Sequence, residues 1–213
     1  MKRVVSGLTV GIAVLAVAGC SGDTDSDIGP IGEWSGSQSM TSSPPNGNRL
    51  PHSGAPAVTD PLPESVLSGD PCDALTPQQI EIALGPGASE GERRDLEQVG
   101  PRCDWSNSGS GGGMSLAFVT AIREGLSVEY ANVKPQKAVF RKAGPVSGFP
   151  AVAYKDNEND RFCTVVVGLA DEYSISVTVS LSVEKDTEGI DSCNPAEEIA
   201  GMVVGNLKAK AGR

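Results

Sequence analysis

Four cysteines, Cys72, Cys103, Cys163 and Cys193, set the tightest limit on how this chain folds. An even set of thiols becomes a disulfide framework only in an oxidising compartment. The N-terminus supplies that condition. Lys2 and Arg3 precede an almost unbroken apolar run from Val4 to Val17, and Val17-Ala18-Gly19-Cys20 has the form of a bacterial lipobox. The run of about 14 residues is short of the roughly 20 that a permanent membrane helix needs. Its basic flank and small-residue end fit a signal peptide over 1–19. The expectation is that the Cys20 thiol carries a diacylglycerol and that cleavage leaves Cys20 first. Two acyl chains hold stably where one does not. The chain is therefore expected at the cell membrane, lipid-anchored on the extracytoplasmic face.

With Cys20 lipidated, the remaining four cysteines allow three pairings. Cys72–Cys103 and Cys163–Cys193 are favoured because they close loops of similar length near either end of the domain. The competing reading is a structural zinc site. It is opposed by the lack of any C-x-x-C spacing and by the remoteness of His52, the single histidine. No cofactor and no metal site are expected.

The formal charge is −10, and it becomes more negative once Lys2 and Arg3 are removed. Such a surface repels nucleic acid, whose binding needs a basic patch. Aromatics make up 4% of the residues, which argues against a broad stacking platform.

Residues 21–69 are rich in Ser, Gly and Pro, with apolar residues scattered without period. Together with the lipidated Cys20 they are read as a disordered tether over 20–69, unable to bury enough surface to offset its ordering entropy. As a flexible coil it would reach roughly 40 Å. Residues 70–213 then form a single domain, long enough for one core.

Within it, Thr76 can cap a helix that starts at Pro77, with Gln79 closing a capping box and Gly85 stopping it. Strands are expected over 102–106, 114–122, 138–143, 151–154, 161–167 and 173–181, with a glycine-rich turn at 108–113 and a short helix over 125–133. The last strand alternates cleanly. Tyr173, Ile175, Val177, Val179 and Leu181 face one way, and Ser174, Ser176, Thr178 and Ser180 the other, as in an antiparallel strand with one wet face. A C-terminal helix is expected from Pro195, capped by Asn194, with Ala196, Ile199, Ala200, Val203 and Leu207 on one stripe. The fold class is α+β: an antiparallel sheet of about five or six strands, packed by an N-terminal and a C-terminal helix and braced by two disulfides.

Several landmarks fall in a familiar order. They are Asp70-Pro71-Cys72, Leu75-Thr76-Pro77, Gly85, Cys103-Asp104-Trp105, Gly148-Phe149-Pro150-Ala151, Cys163, and Asp191-Ser192-Cys193 with Ala196. In this order they resemble the domain of unknown function 3558 family over most of 70–207. The resemblance implies an actinobacterial envelope lipoprotein with a lipobox, a polar tether and a four-cysteine domain. It implies no catalytic residues.

A search for chemistry finds little. His52 lies in the expected tether, where it cannot be held against a nucleophile. No G-x-S-x-G elbow occurs, and the glycines at 109–113 lack the Lys-Ser/Thr of a phosphate loop. Asp23, Asp25 and Asp27 open like a calcium loop, but Ile28 stands where the turn glycine belongs. Asp156, Glu158 and Asp160 read as a solvated hairpin tip. No spacing singles out two acids for glycoside hydrolysis. Lys134, Lys137, Arg141 and Lys142 are the one basic stretch and a candidate contact surface. Trp105 and Phe149 are weighed both as core residues and as ligand contacts.

The leading expectation is a membrane-anchored envelope lipoprotein, not an enzyme, that binds an envelope protein through the Ser/Thr face of the last strand or through the basic stretch. The alternative is a carrier or sensor of an apolar envelope ligand. A cell-wall hydrolase ranks third.

Overall fold

The computed structural model describes residues 49–213. The signal peptide, the lipobox with Cys20, the acidic triplet at 23–27 and the first part of the expected tether lie outside the described residues.

Seven antiparallel strands form one sheet: β1 (Glu92–Leu96), β2 (Gly100–Asn107), β3 (Gly112–Val119), β4 (Val139–Val146), β5 (Phe149–Lys155), β6 (Phe162–Gly168) and β7 (Ser174–Ser180). Their spatial order is β1-β2-β3-β7-β6-β5-β4. Two meanders, β1–β3 and β4–β7, join where β3 pairs with β7, with Leu116 opposite Val177. The expectation of five or six strands falls short by β1. Every residue of β1 is exposed, so its sequence, Glu-Arg-Arg-Asp-Leu, carries no alternation to read. Its ladder with β2, not burial, makes it a strand: Arg93 lies opposite Cys103 and Glu92 opposite Asp104.

Three α-helices accompany the sheet: α1 (Pro77–Leu84), α2 (Val183–Thr187) and α3 (Cys193–Lys210). The front face of the sheet is buried by α3. Ala196, Ile199, Ala200, Val203, Val204 and Leu207 are all at most 3% exposed and meet Ala153, Val165, Val167, Ile175 and Val177 in one core. Each large aliphatic side chain buried there contributes about 1.5–3 kcal/mol. The alanines of α3 keep its axis close to the sheet.

The capping box of α1 forms as its sequence predicts. The Gln79 amide donates to Thr76 Oγ1 (3.2 Å), and the Thr76 amide donates to Gln79 Oε1 (2.8 Å). The start of α3 differs from expectation. It begins at Cys193, and Asp191, not Asn194, takes the capping role by accepting from the Cys193 amide at 2.9 Å. The disulfide fixes Cys193 at the first turn, and Lys155 Nζ holds the Asp191 carboxylate at 3.0 Å.

The largest correction concerns the expected tether. Its described part is packed on the domain. Leu62, Val66 and Leu67 are at most 5% exposed and belong to the same core as α3. The Leu62 amide donates to the Leu169 carbonyl (3.0 Å), the Val58 amide to Asp171 Oδ1 (2.9 Å), and Lys210 Nζ to the Val66 carbonyl (2.9 Å). Prolines 56, 61 and 63 set an extended path that needs few backbone donors. Composition hid three apolar anchors among polar neighbours.

The disulfides are Cys72–Cys103 and Cys163–Cys193. The first ties the turn Pro71–Ala74 to β2, and the second ties β6 to the start of α3. Gly91 runs directly over the first. A side chain there would lie 2.6 Å from Cys103 Sγ and 2.8 Å from Trp105 Nε1, so only glycine lets the chain pass. Loops of this length stabilise by roughly 3–4 kcal/mol each on the loop-entropy account. The Cys163→Ala/Cys193→Ala double variant is expected to lose about that much unfolding free energy in urea titration, with the residual fold retained.

Candidate functional site

The connection from β3 to β4 must cross three strands, because β7, β6 and β5 stand between them. It does so over the back face of the sheet. There Leu126 and Tyr130 cover Val152 and Val166, with Ala55, Phe140 and Tyr154 packed against them. The crossing contains a π-helical turn, Glu129–Val133. Tyr130 meets Phe140 edge-on at 5.3 Å, and Phe140 stacks on Tyr154 at 6.2 Å.

The basic stretch is absorbed by this cluster and by acids. Lys134 Nζ sits 5.5 Å from the Tyr130 ring centre, and Lys137 Nζ sits 5.7 Å from that of Tyr154. Lys137 also pairs with Asp156 (2.6 Å), and Arg141 pairs with Glu197 of α3 (2.6 Å). Lys142 stays exposed. The four residues are therefore not one free positive patch. Trp105 and Phe149 are 3% and 5% exposed and belong to the core, so neither offers a ring to a ligand in solution.

His52 is held, contrary to expectation. Its amide donates to Ser127 Oγ (3.0 Å), and its ring contacts Ser53 Oγ (3.0 Å) and Glu124 (3.5 Å). Ser53 and its turn lie open to water, so the arrangement lacks the water-excluded setting that acyl transfer needs. Among the described residues, no group of three His, Cys, Asp or Glu side chains could hold a metal ion.

Open grooves lie on several sides of the described residues, one of them between α1 and residues 85–91, and two differ clearly in chemistry. The first, about 840 Å³, lies between α1, the β2–β3 turn and α2. Ile82 of α1 and Val183 of α2 line it and are 63% and 60% exposed. Asn107 builds its wall. This 5%-exposed amide donates to the carbonyls of Leu84 and Pro86 (3.0 Å each) and accepts from the amides of Gly109 and Ser110 (3.0 and 3.3 Å). Sequence reading missed Asn107, since a strand-end asparagine before a glycine turn looks like ordinary turn chemistry. The second groove, about 590 Å³, lies on the uncovered part of the back face. One row of cross-strand neighbours runs along that face from Tyr154 through Thr164, Thr178, Ser115 and Asp104 to Glu92. The wet Ser/Thr face expected of β7 is thus partly wet. Ser174 is fully buried, and Ser176, Thr178 and Ser180 are half-buried.

The fold so defined is an antiparallel seven-stranded sheet with a few helices and two disulfides. A family model described as "Protein of unknown function (DUF3558)" matches residues 15–206, and the chain belongs to that family. No curated protein and no solved structure matches it. Among the described residues, no helix is long and apolar enough to cross a membrane.

Glu129 is the most perturbed carboxylate among the described residues. It is 8% exposed and its Oε2 has no hydrogen-bond partner. Burial pushes its pKa up to about 7, although the Tyr154 hydroxyl partly offsets this. The folded chain therefore holds this proton more tightly than the unfolded chain. The contribution to stability is full below the ordinary glutamate range and vanishes as pH rises through 7. Unfolding free energy should fall by about 3 kcal/mol between pH 4 and pH 8 from this group alone. Glu129→Gln should flatten that slope in urea titrations across the range.

Proposed function

We propose that this chain is a lipid-anchored protein of the bacterial cell envelope, and that its domain is a non-enzymatic interaction module. The lipobox at Cys20 and the two disulfides support the location. The groove beside α1 and α2 carries the reading of function. Two aliphatic side chains stand more than half exposed in its walls, and Asn107 fixes the wall between them. Exposed apolar residues converging on one rigid concavity are what a protein partner's anchor residue needs. The partner is an envelope protein offering an apolar side chain to that groove.

The groove's volume also lies within the range of small-molecule pockets, which favours the carrier reading as the second. The two separate in one experiment. In intact cells, Ile82→Asp/Val183→Asp should abolish a crosslinked protein adduct and leave the melting temperature within about 2 °C, because both side chains are largely exposed. Retention of the adduct would refute the interaction module. An apolar molecule that co-purifies with the wild-type chain, and is lost in the same variant, would select the carrier. Anchoring has its own check. Cys20→Ser should move the protein from the membrane fraction to the medium.

A further inference from the structure

The groove on the back face differs in chemistry from the apolar one. Ser106, Ser115, Thr178 and Ser180 give it hydroxyls, and Glu92, Arg94, Arg102 and Asp104 give it charge. Glu90 lines the groove as well and stands outside any ion pair among the described residues, while the other four charges satisfy one another. Asp104 receives Arg102 Nε at 2.6 Å and Arg94 Nε at 3.3 Å, and Arg94 also reaches Glu92 at 3.1 Å. The wall thus presents paired donors and acceptors with a small excess of negative charge.

Phe162 stands at the end of the groove and is 51% exposed. It lies opposite Ser180 in the sheet, on the same face as Thr164. Its ring is not loose. The Arg161 guanidinium lies 5.8 Å from the ring centre and is itself held by the Gly111 carbonyl (2.8 Å) and the Leu181 carbonyl. The Phe162 amide donates to Asp160 Oδ1 at 3.0 Å. A pre-set aromatic ring beside hydroxyls and a fixed guanidinium–carboxylate ladder suits one ligand chemistry. Sugar C–H faces stack on the ring, and vicinal hydroxyls bridge carboxylate and guanidinium oxygens and nitrogens. The pairing of the charges disfavours a polyanion, which would find no free cations to meet it.

We propose that the back-face groove, between Phe162 and the Arg94–Asp104–Arg102 ladder, binds a neutral glycan. The site adjoins the apolar groove at Ser180, which lines both, and does not rest on the partner assigned there.

The test uses the full chain, isotopically labelled, titrated with three neutral oligosaccharides: a maltohexaose, a mannohexaose and a hexamer of N-acetylglucosamine. A polyanionic oligosaccharide, a heparin hexamer, is the control. The expected result is that at least one neutral sugar, at up to about 10 mM, shifts the amides of Ser106, Ser115, Phe162 and Thr178, which line this groove and not the apolar one. Phe162→Ala should weaken that binding about tenfold or more without lowering the melting temperature. Arg102→Gln should weaken it while the ring remains. Silence from all three sugars would overturn the proposal, as would shifts elsewhere on the domain, preferential binding of the heparin hexamer, or undiminished binding by Phe162→Ala. Ile82→Asp/Val183→Asp should leave sugar binding intact, so loss of the partner adduct and loss of glycan binding report on different surfaces.

Discussion

Burial of α3 against the front of the sheet is the contact on which the other features depend. The helix supplies six side chains that are almost wholly removed from water, and it packs chiefly on the inner strands β6 and β7. Everything else secures that contact. Cys163–Cys193 pins the first turn of α3 to β6, and the Lys155–Asp191 pair caps the same turn. Burial alone would raise the Asp191 pKa, but the Cys193 amide and the Lys155 ammonium bring it below the usual carboxylate range. Leu62, Val66 and Leu67 seal the far side of the core, and Lys210 from the last turn of the helix reaches back to Val66.

What could be read from the sequence depended on whether a residue's role was local. The capping box at Thr76 and Gln79 needs only its own helix and appears as read; the alternation of β7 is present too, but its second face is half-covered, with Ser174 buried. The start of α3 was misplaced because its cap is decided by a disulfide and by a lysine from β5, neither of which leaves a mark beside Asn194. β1 is invisible in the sequence because a ladder with β2 and ion pairs support it, not burial. The packed segment before Asp70 was misjudged for a similar reason. Leu62 between two prolines and the adjacent pair Val66-Leu67 have no period, and their value appears only once the turn at 169–173 is there to receive the segment. Among the candidate contacts, the basic run could be counted, but its partners Asp156 and Glu197 are brought to it by the fold. Asn107 carried no signal beyond that of any turn asparagine.

The two sides of the sheet have been given different tasks by one topological fact. Placing β4 at the edge while β3 sits near the centre forces a crossing over the back face. That crossing covers one half with Leu126 and Tyr130 and leaves the other half bare. The bare half retains the polar row from Thr164 to Glu92, while the covered half buries Glu129 beside Tyr154. A sheet with both faces fully covered would have neither an open polar groove nor a glutamate whose proton is bound near neutrality.

The exposed strand β1 has a further consequence. An uncovered edge offers unpaired backbone groups to any extended chain that meets it. Here that edge carries Glu92, Arg93, Arg94 and Asp95 in succession, cross-linked by ion pairs to Asp70, Asp95, Glu92 and Asp104. A second copy approaching in register would have to strip water from four consecutive charges and break those pairs. Wherever copies of the chain crowd together, this edge acts as a spacer that keeps sheets from fusing into larger ones.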